Sequence, residues 1–274
     1  MRTCLVAVVL GLLTMAALAQ RQRFRFGLEG ATEGRASSLP AQGEFHFIRV
    51  EYTDLPEFHR GYGFGSRNGT GDGWWLVDWP DSDEHFSLGV QRLTRIETGA
   101  PLHMRLTDDR LFDHPWLYAT QTGWWNLSEQ EIARLREYLL RGGFLVTDDF
   151  WGEDWGWFQR TMERVLPGMP ITDIAQTDLV MHVAYDIEEK DRTFIPGTRH
   201  LWRGPGGIIV RQPPGTTPAW RAIHDERNRM LVAVNYNTDV GDAWEYADSP
   251  YYPEPMTALA YRYGVNYLIY AMTH

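Results

Sequence analysis

Short apolar segments alternate with amphipathic ones along most of the chain. The segment from Phe45 to Tyr52 alternates apolar and polar side chains in places, which is typical of a strand. The clearest helix begins at Ser128, which forms a capping box with Glu131, and it ends at Gly142-Gly143. The pattern also predicts strands over residues 102–106, 116–119 and 144–147, a hairpin over 219–223 and 230–236, and helices over 83–95, 155–166 and 256–272. Strands that alternate with helices favour a mostly parallel sheet with helices on both faces.

Residues 60–83 interrupt this pattern, because they are rich in glycine and tryptophan. They are predicted to form a long loop, and loops of that length are usually functional or mobile. Asp81 or Ser82 is predicted to cap the helix that follows.

The N-terminus has the pattern of a secretory signal peptide. Arg2 precedes an apolar run from Leu5 to Leu13, and Ala17-Leu18-Ala19 fits a cleavage site. The run is shorter than the roughly 20 residues that a membrane span requires. We therefore expect a signal peptide over residues 1–19, a flexible tether over 20–43, and export to a periplasm or to the outside of the cell. No transmembrane segment is expected after cleavage.

Charge and cysteine usage exclude several classes of function. The chain has 26 basic and 36 acidic residues, a formal charge of −10, which disfavours a nucleic acid or an anionic membrane as partner. Cys4 is the only cysteine and lies inside the predicted signal peptide. The mature chain is therefore expected to use no thiol or disulfide chemistry.

The first candidate site follows the predicted strand 144–147, which runs into Asp148-Asp149 and then Trp151. Ligands of open parallel sheets bind beyond the carboxyl ends of the strands. Adjacent strand residues point to opposite faces, so both carboxylates share one crevice only if the chain turns at Asp149. The alternative is that one of the two caps the next helix.

The second candidate site is the turn-like stretch from Asn237 to Tyr246, with acids at positions 239, 242 and 245 and Trp244 among them. Alternating oxygen ligands around a glycine resemble a calcium loop, but Gly241 is at the fifth position instead of the sixth. For metal binding, we favour the interpretation as a turn whose side chains satisfy one another.

A third stretch, Trp74 to Asp81, places tryptophans beside carboxylates, a combination that can bind sugar rings, although tryptophans are more often core residues. The chain lacks a zinc-protease helix motif, a phosphate-binding loop and a serine-hydrolase elbow. His46, His182 and His274 have no ligand spacing to one another and are predicted to be structural.

Several motifs together resemble the bacterial family known as domain of unknown function 4159. They are Phe47-Ile48-Arg49-Val50-Glu51-Tyr52, Trp79-Pro80-Asp81-Ser82-Asp83, residues 106–112, 127–131, 142–151 and 237–245, and the closing Tyr270-Ala271-Met272-Thr273-His274. The resemblance covers residues 45–274. It implies a three-layer, flavodoxin-like fold similar to class I glutamine amidotransferases, as a single domain over residues 44–274.

Those amidotransferases use a cysteine nucleophile on a strand-to-helix elbow, activated by histidine. The strand that ends in Asp148-Asp149 is the closest to that role in this sequence. The chain also departs from the family's His-Pro-Ile-Phe stretch, where it has Met181-His182-Val183-Ala184. Amidotransferase activity is therefore not carried over.

The sequence thus predicts a non-thiol, amidotransferase-like binding or assembly module with an acidic crevice. Its ligand would be a divalent cation, a small polar ligand or a protein partner, and no other cofactor is implied. The alternative is a carboxylate-dependent hydrolase, with or without an assisting metal, acting on glycan or another polar substrate. The candidate site residues are Asp148, Asp149, Trp151, Asn237, Asp239, Asp242, Trp244 and Glu245.

Overall fold

The computed structural model describes residues 37–59 and 73–274. Its strands are β1 (Ile48–Glu51), β2 (Leu102–Arg105), β3 (Trp116–Thr120), β4 (Phe144–Phe150), β5 (Ile171–Asp173), β6 (Leu201–Gly204), β7 (Gly207–Val210), β8 (Ala219–His224) and β9 (Met230–Tyr236). Its α-helices are α1 (Asp81–Leu93), α2 (Glu129–Leu140), α3 (Asp154–Val165), α4 (Val240–Glu245) and α5 (Glu254–Thr273).

Seven strands form one sheet in the order β2-β1-β3-β4-β9-β8-β5. The first five are mutually parallel, and β8 and β5 add an antiparallel edge. The five parallel strands therefore have the 2-1-3-4-5 order of a flavodoxin-like sheet. This confirms the predicted fold class. Strands β6 and β7 form a separate hairpin.

Two hydrophobic cores cover the two faces of the sheet. One core joins Phe47, Trp116 and Tyr118 to helices α1, α4 and α5. The other joins Ile48 and Leu117 to helices α2 and α3. Successive strand residues thus enter opposite cores, as the alternation of side chains along a strand requires. The strands are apolar on both sides because both faces are covered.

Most predicted helices and strands are confirmed within two or three residues of their bounds. Ser128 and Glu131 form the expected capping box of α2, and β8 and β9 form the expected antiparallel pair. The pattern missed β5, the β6–β7 hairpin and α4. These elements span three to six residues each, so the hydrophobic period has too few turns or alternations to be detected.

The cap predicted for α1 is wrong. The helix begins at Asp81, with Pro80 as its N-cap residue and no side-chain cap, so both proposed caps lie inside the helix. The Ser82 hydroxyl instead donates to Asp83 at 2.7 Å and accepts a hydrogen bond from Arg49 at 2.8 Å. The C-terminal part of the predicted loop is also helical, with a 3₁₀ turn over Trp74–Leu76.

The predicted signal peptide, residues 20–36 of the predicted tether and residues 60–72 of the predicted loop lie outside the described residues. The end of the predicted tether packs against the domain: Leu39 is buried, and the Ser38 backbone N–H donates to Glu84 at 2.8 Å. Among the described residues, no helix has the length and apolar character that crossing a membrane requires.

Candidate functional site

Five carboxylates converge at the carboxyl ends of the parallel strands, and we call them the acidic cluster: Asp78, Asp149, Asp239, Asp242 and Glu245. One oxygen from each of Asp78, Asp149 and Asp239 lies within 4.8 Å of the other two. The same holds for Asp78, Asp242 and Glu245. Asp78 therefore belongs to both triads. Ligands of open parallel sheets bind at this edge.

Asp149 enters the cluster because β4 is irregular at this residue. Its φ of 49° is left-handed, and the pairing of β4 with β9 shifts register between Thr147 and Phe150. This irregularity is the turn that the sequence analysis required for Asp148 and Asp149 to share one site. The Asp149 carboxylate accepts hydrogen bonds from Gln121, from the Trp151 indole N–H at 2.6 Å and from Arg199 at 3.0 Å.

Asp148 lies beneath the cluster and holds α4 in place. Its Oδ2 accepts hydrogen bonds from the Tyr118 hydroxyl and from the backbone N–H groups of Val240 and Gly241, each at 2.9 Å. The predicted alternative, in which one of the two acids caps the following helix, is wrong. Helix α3 has Glu153 as its N-cap residue and no side-chain cap, and Asp148 instead binds the N-terminal backbone of α4. The other oxygen, Oδ1, is buried and has no hydrogen-bond partner among the described residues.

Asp239 and Asp242 are positioned by the start of α4. Asp239 is its N-cap residue, and its Oδ1 accepts from the Asp242 backbone N–H at 2.9 Å. Asp242 in turn accepts from the Thr198 backbone N–H at 2.6 Å and from its hydroxyl at 3.1 Å. A Cβ at Gly197 would lie 2.5 Å from Asp239 Oδ2, so glycine is required for this close approach.

Asp78 is held by a buried arginine in β1. The Arg49 side chain is fully buried, pairs with Asp83, and donates to the backbone oxygens of Trp75 at 3.2 Å and Val77 at 2.7 Å. These bonds fix the segment that carries Asp78, whose φ of 64° is also left-handed.

The Oδ2 atom of Asp78 is buried and has no hydrogen-bond partner within residues 37–59 and 73–274. A Cβ at Gly241 would lie 2.6 Å from this oxygen. The absence of a side chain at Gly241 therefore leaves the space that the Asp78 carboxylate occupies.

Burial raises the pKa of most of these carboxyl groups. Desolvation comes first for Asp78, Asp149 and Asp239, and the neighbouring carboxylates raise the pKa of each further. Arg199 and the Trp151 hydrogen bond oppose the rise at Asp149. Burial and the Asp149 charge raise the pKa of Asp148 to about 7 against the effect of its three hydrogen bonds.

Two of the predicted site residues make contacts that serve the fold. Trp244 was predicted as a site residue, but its side chain is fully buried in the core between Phe47, Phe86 and Tyr118. Asn237 also serves the fold, because its side-chain oxygen accepts from Gly152 at 2.9 Å and its amide donates to Thr217 at 2.9 Å. Most of the acids are buried, so the site is less exposed than the word crevice implies.

Sequence reasoning missed Asp78, which links the two triads, and Arg199, which pairs with Asp149. Asp78 lies in the aromatic stretch from Trp74 to Asp81, where its carboxylate beside tryptophans was the only signal. Trp74 and Trp75 themselves are buried, which removes the basis for sugar stacking on them. His182 is structural as predicted, since its ring nitrogens bond Asp186 at 2.8 Å and the Gln176 carbonyl at 2.6 Å.

A family model described as domain of unknown function (DUF4159) matches residues 62–272. The chain belongs to the DUF4159 family. The match begins after β1 and includes every member of the acidic cluster. No curated protein matches the chain. The family description names no reaction, so the chemistry of this DUF4159 protein must be argued from its side chains.

Proposed function

We propose that this DUF4159 protein is an exported, non-thiol, amidotransferase-like binding module whose acidic cluster binds a divalent cation. One observation carries the proposal: Asp78 has a buried Oδ2 without a hydrogen-bond partner in the described part of the chain, and its carboxylate lies near enough to four others to share a cation with them. Hard divalent cations take carboxylate oxygens as ligands.

The burial of the cluster supports a cation as the ligand. Asp149, Asp239 and Asp242 are 1%, 2% and 8% exposed, so their charges are largely removed from water. Buried charges are costly unless they are paired or coordinate a metal. Among the described residues, Arg199 contacts the cluster through Asp149 at 3.0 Å. A bound divalent cation would supply further positive charge to the other carboxylates.

Calcium is the cation that suits the ligand set of the cluster best. The oxygens of each triad lie within 4.8 Å of one another, a spacing that one calcium ion can bridge. Calcium takes about six to eight oxygen ligands in flexible geometry, whereas magnesium demands a near-ideal octahedron. Calcium is therefore the first cation to test.

Two features support the amidotransferase-like part of the proposal. The parallel strands have the 2-1-3-4-5 order. Asp149 has a left-handed φ at the end of β4, shortly before α3, as a residue on a strand-to-helix elbow would.

The non-thiol and exported parts of the proposal rest on the sequence. The chain has an acid at the elbow position, and its single cysteine, Cys4, lies inside the predicted signal peptide. The predicted signal peptide also supports export.

A carboxylate-dependent hydrolase is the second candidate. The observation that favours it is the adjacent pair Asp148 and Asp149, because burial raises the pKa of Asp148 to about 7 while Arg199 acts in the opposite direction on Asp149. Carboxyl groups in different environments can take separate acid and base roles. Both side chains are at most 1% exposed, so this function would require the site to open.

Thermal unfolding with and without cations tests the proposed function. The chelator-treated chain is unfolded alone and then with calcium, magnesium, manganese or zinc. Calcium at a hundred times its dissociation constant should add roughly 2.7 kcal/mol of stability. Asp78→Asn should abolish this rise, whereas Asp248→Asn, which removes an exposed acid near Glu245, should leave it unchanged. No response to any cation would refute the proposal.

A further inference from the structure

The acidic cluster has two triads that share one residue. Asp149 and Asp239 complete the first triad with Asp78, and Asp242 and Glu245 complete the second. A carboxylate has two oxygens and can bind two ions at once. From this arrangement we infer that the site binds two divalent cations, bridged by Asp78. The inference rests on the proposed function and specifies its stoichiometry.

The charges of the cluster match two cations better than one. The two triads contain five carboxylates, and the Arg199 guanidinium contacts Asp149 at 3.0 Å. Two divalent cations and Arg199 together neutralise five negative charges. One cation and Arg199 would supply three positive charges, so the other two carboxyl groups would have to be neutralised in another way, for example by protons.

An unpartnered oxygen of the residue shared by the two triads points to a ligand at this place independently of the acid count, and a second one belongs to the neighbouring Asp148 side chain. Asp78 Oδ2 and Asp148 Oδ1 are both buried, and neither has a hydrogen-bond donor among the residues described. The two side chains lie close together, because a Cβ at Gly241 would be 2.6 Å from Asp78 Oδ2 and 3.7 Å from Asp148 Oδ2. Buried carboxylate oxygens normally accept a hydrogen bond from a donor. A bound cation would take the place of that donor here.

Two glycines let the backbone approach the cluster closely. A side chain at Gly241 would meet Asp78 Oδ2 at 2.6 Å. A side chain at Gly197 would meet Asp239 Oδ2 at 2.5 Å and Asp242 Oδ2 at 3.1 Å, one oxygen from each triad. The backbone thus approaches oxygens of both triads at positions where a larger residue would displace them.

Calcium stoichiometry tests the inference, measured by equilibrium dialysis and calorimetric titration of the full chain after removal of metal by a chelator. The wild type should bind two calcium ions. Asp239→Asn should bind one, since asparagine is also a good N-cap residue and keeps the start of α4 intact. Glu245→Gln should also bind one, and Asp248→Asn should bind two.

The outcomes separate this inference from the proposed function. One ion bound by the wild type would overturn the two-cation site and leave the cation-binding function standing. No bound ion would overturn both. Two ions that neither Asp239→Asn nor Glu245→Gln reduces would place the ions elsewhere and also overturn the inference. Far-ultraviolet circular dichroism first confirms that each variant is folded, and its calcium stoichiometry is then compared with that of the wild type.

Discussion

Asp148→Asn should stabilise the cation-free protein at neutral and alkaline pH. The Asp148 carboxyl group is fully buried, and its pKa is raised from 3.8 to about 7. The folded state therefore binds more protons than the unfolded state between these two values, so stability falls as pH rises through this window. Asparagine has nearly the same shape, and its oxygen can accept the hydrogen bonds from Tyr118, Val240 and Gly241 without carrying a charge.

The magnitude follows from the two pKa values. A rise from 3.8 to about 7 corresponds to about 4 kcal/mol of stability lost once the group is ionised in both states. Asparagine resembles the neutral acid, so the variant should exceed the wild type by up to about 4 kcal/mol above pH 7. The difference should shrink as pH falls and disappear below the unfolded pKa of 3.8.

Urea unfolding in a chelator, at several pH values between 4 and 8, measures this difference directly. The other acids of the cluster also titrate, so the readout is the wild type compared with the variant at each pH. A variant that is less stable than the wild type at pH 8 would refute the reasoning. A difference that does not change with pH would do the same, because it would show that the pKa of Asp148 is the same in the folded and unfolded states.

Three further substitutions test the contacts that hold the acidic cluster and the surrounding fold in place. Arg49→Met leaves Asp83 buried without its ion pair and should cost about 3–5 kcal/mol in urea unfolding at pH 7; a loss below about 1 kcal/mol would contradict this. Gly241→Ala places a methyl group against Asp78 and should weaken calcium binding in a dialysis assay, and unchanged affinity would argue against the site. Ser128→Ala removes the capping box of α2 and should cost about 1 kcal/mol without changing calcium binding.

Local features determined which parts of the fold could be predicted. The capping box of α2 involves residues three apart, and the strands that enter both cores are apolar along their whole length. Such signals depend only on neighbours in the chain. No such local signal showed which residues of α4 are buried. The helix spans only six residues, too few to show which face is buried, so Trp244 was expected at the site and lies in the core.

The sequence by itself determined the fold class and the family resemblance, and it placed four of the five members of the acidic cluster among the candidate site residues. Only the tertiary structure decided that Asp78 joins them and that Asn237 and Trp244 do not. The physical reason is that the cluster depends on long-range geometry. The order of the strands brings the ends of β1, β4 and β9 to one edge, the irregularity at Asp149 rotates its carboxylate into the site, and Arg49 holds the segment that carries Asp78.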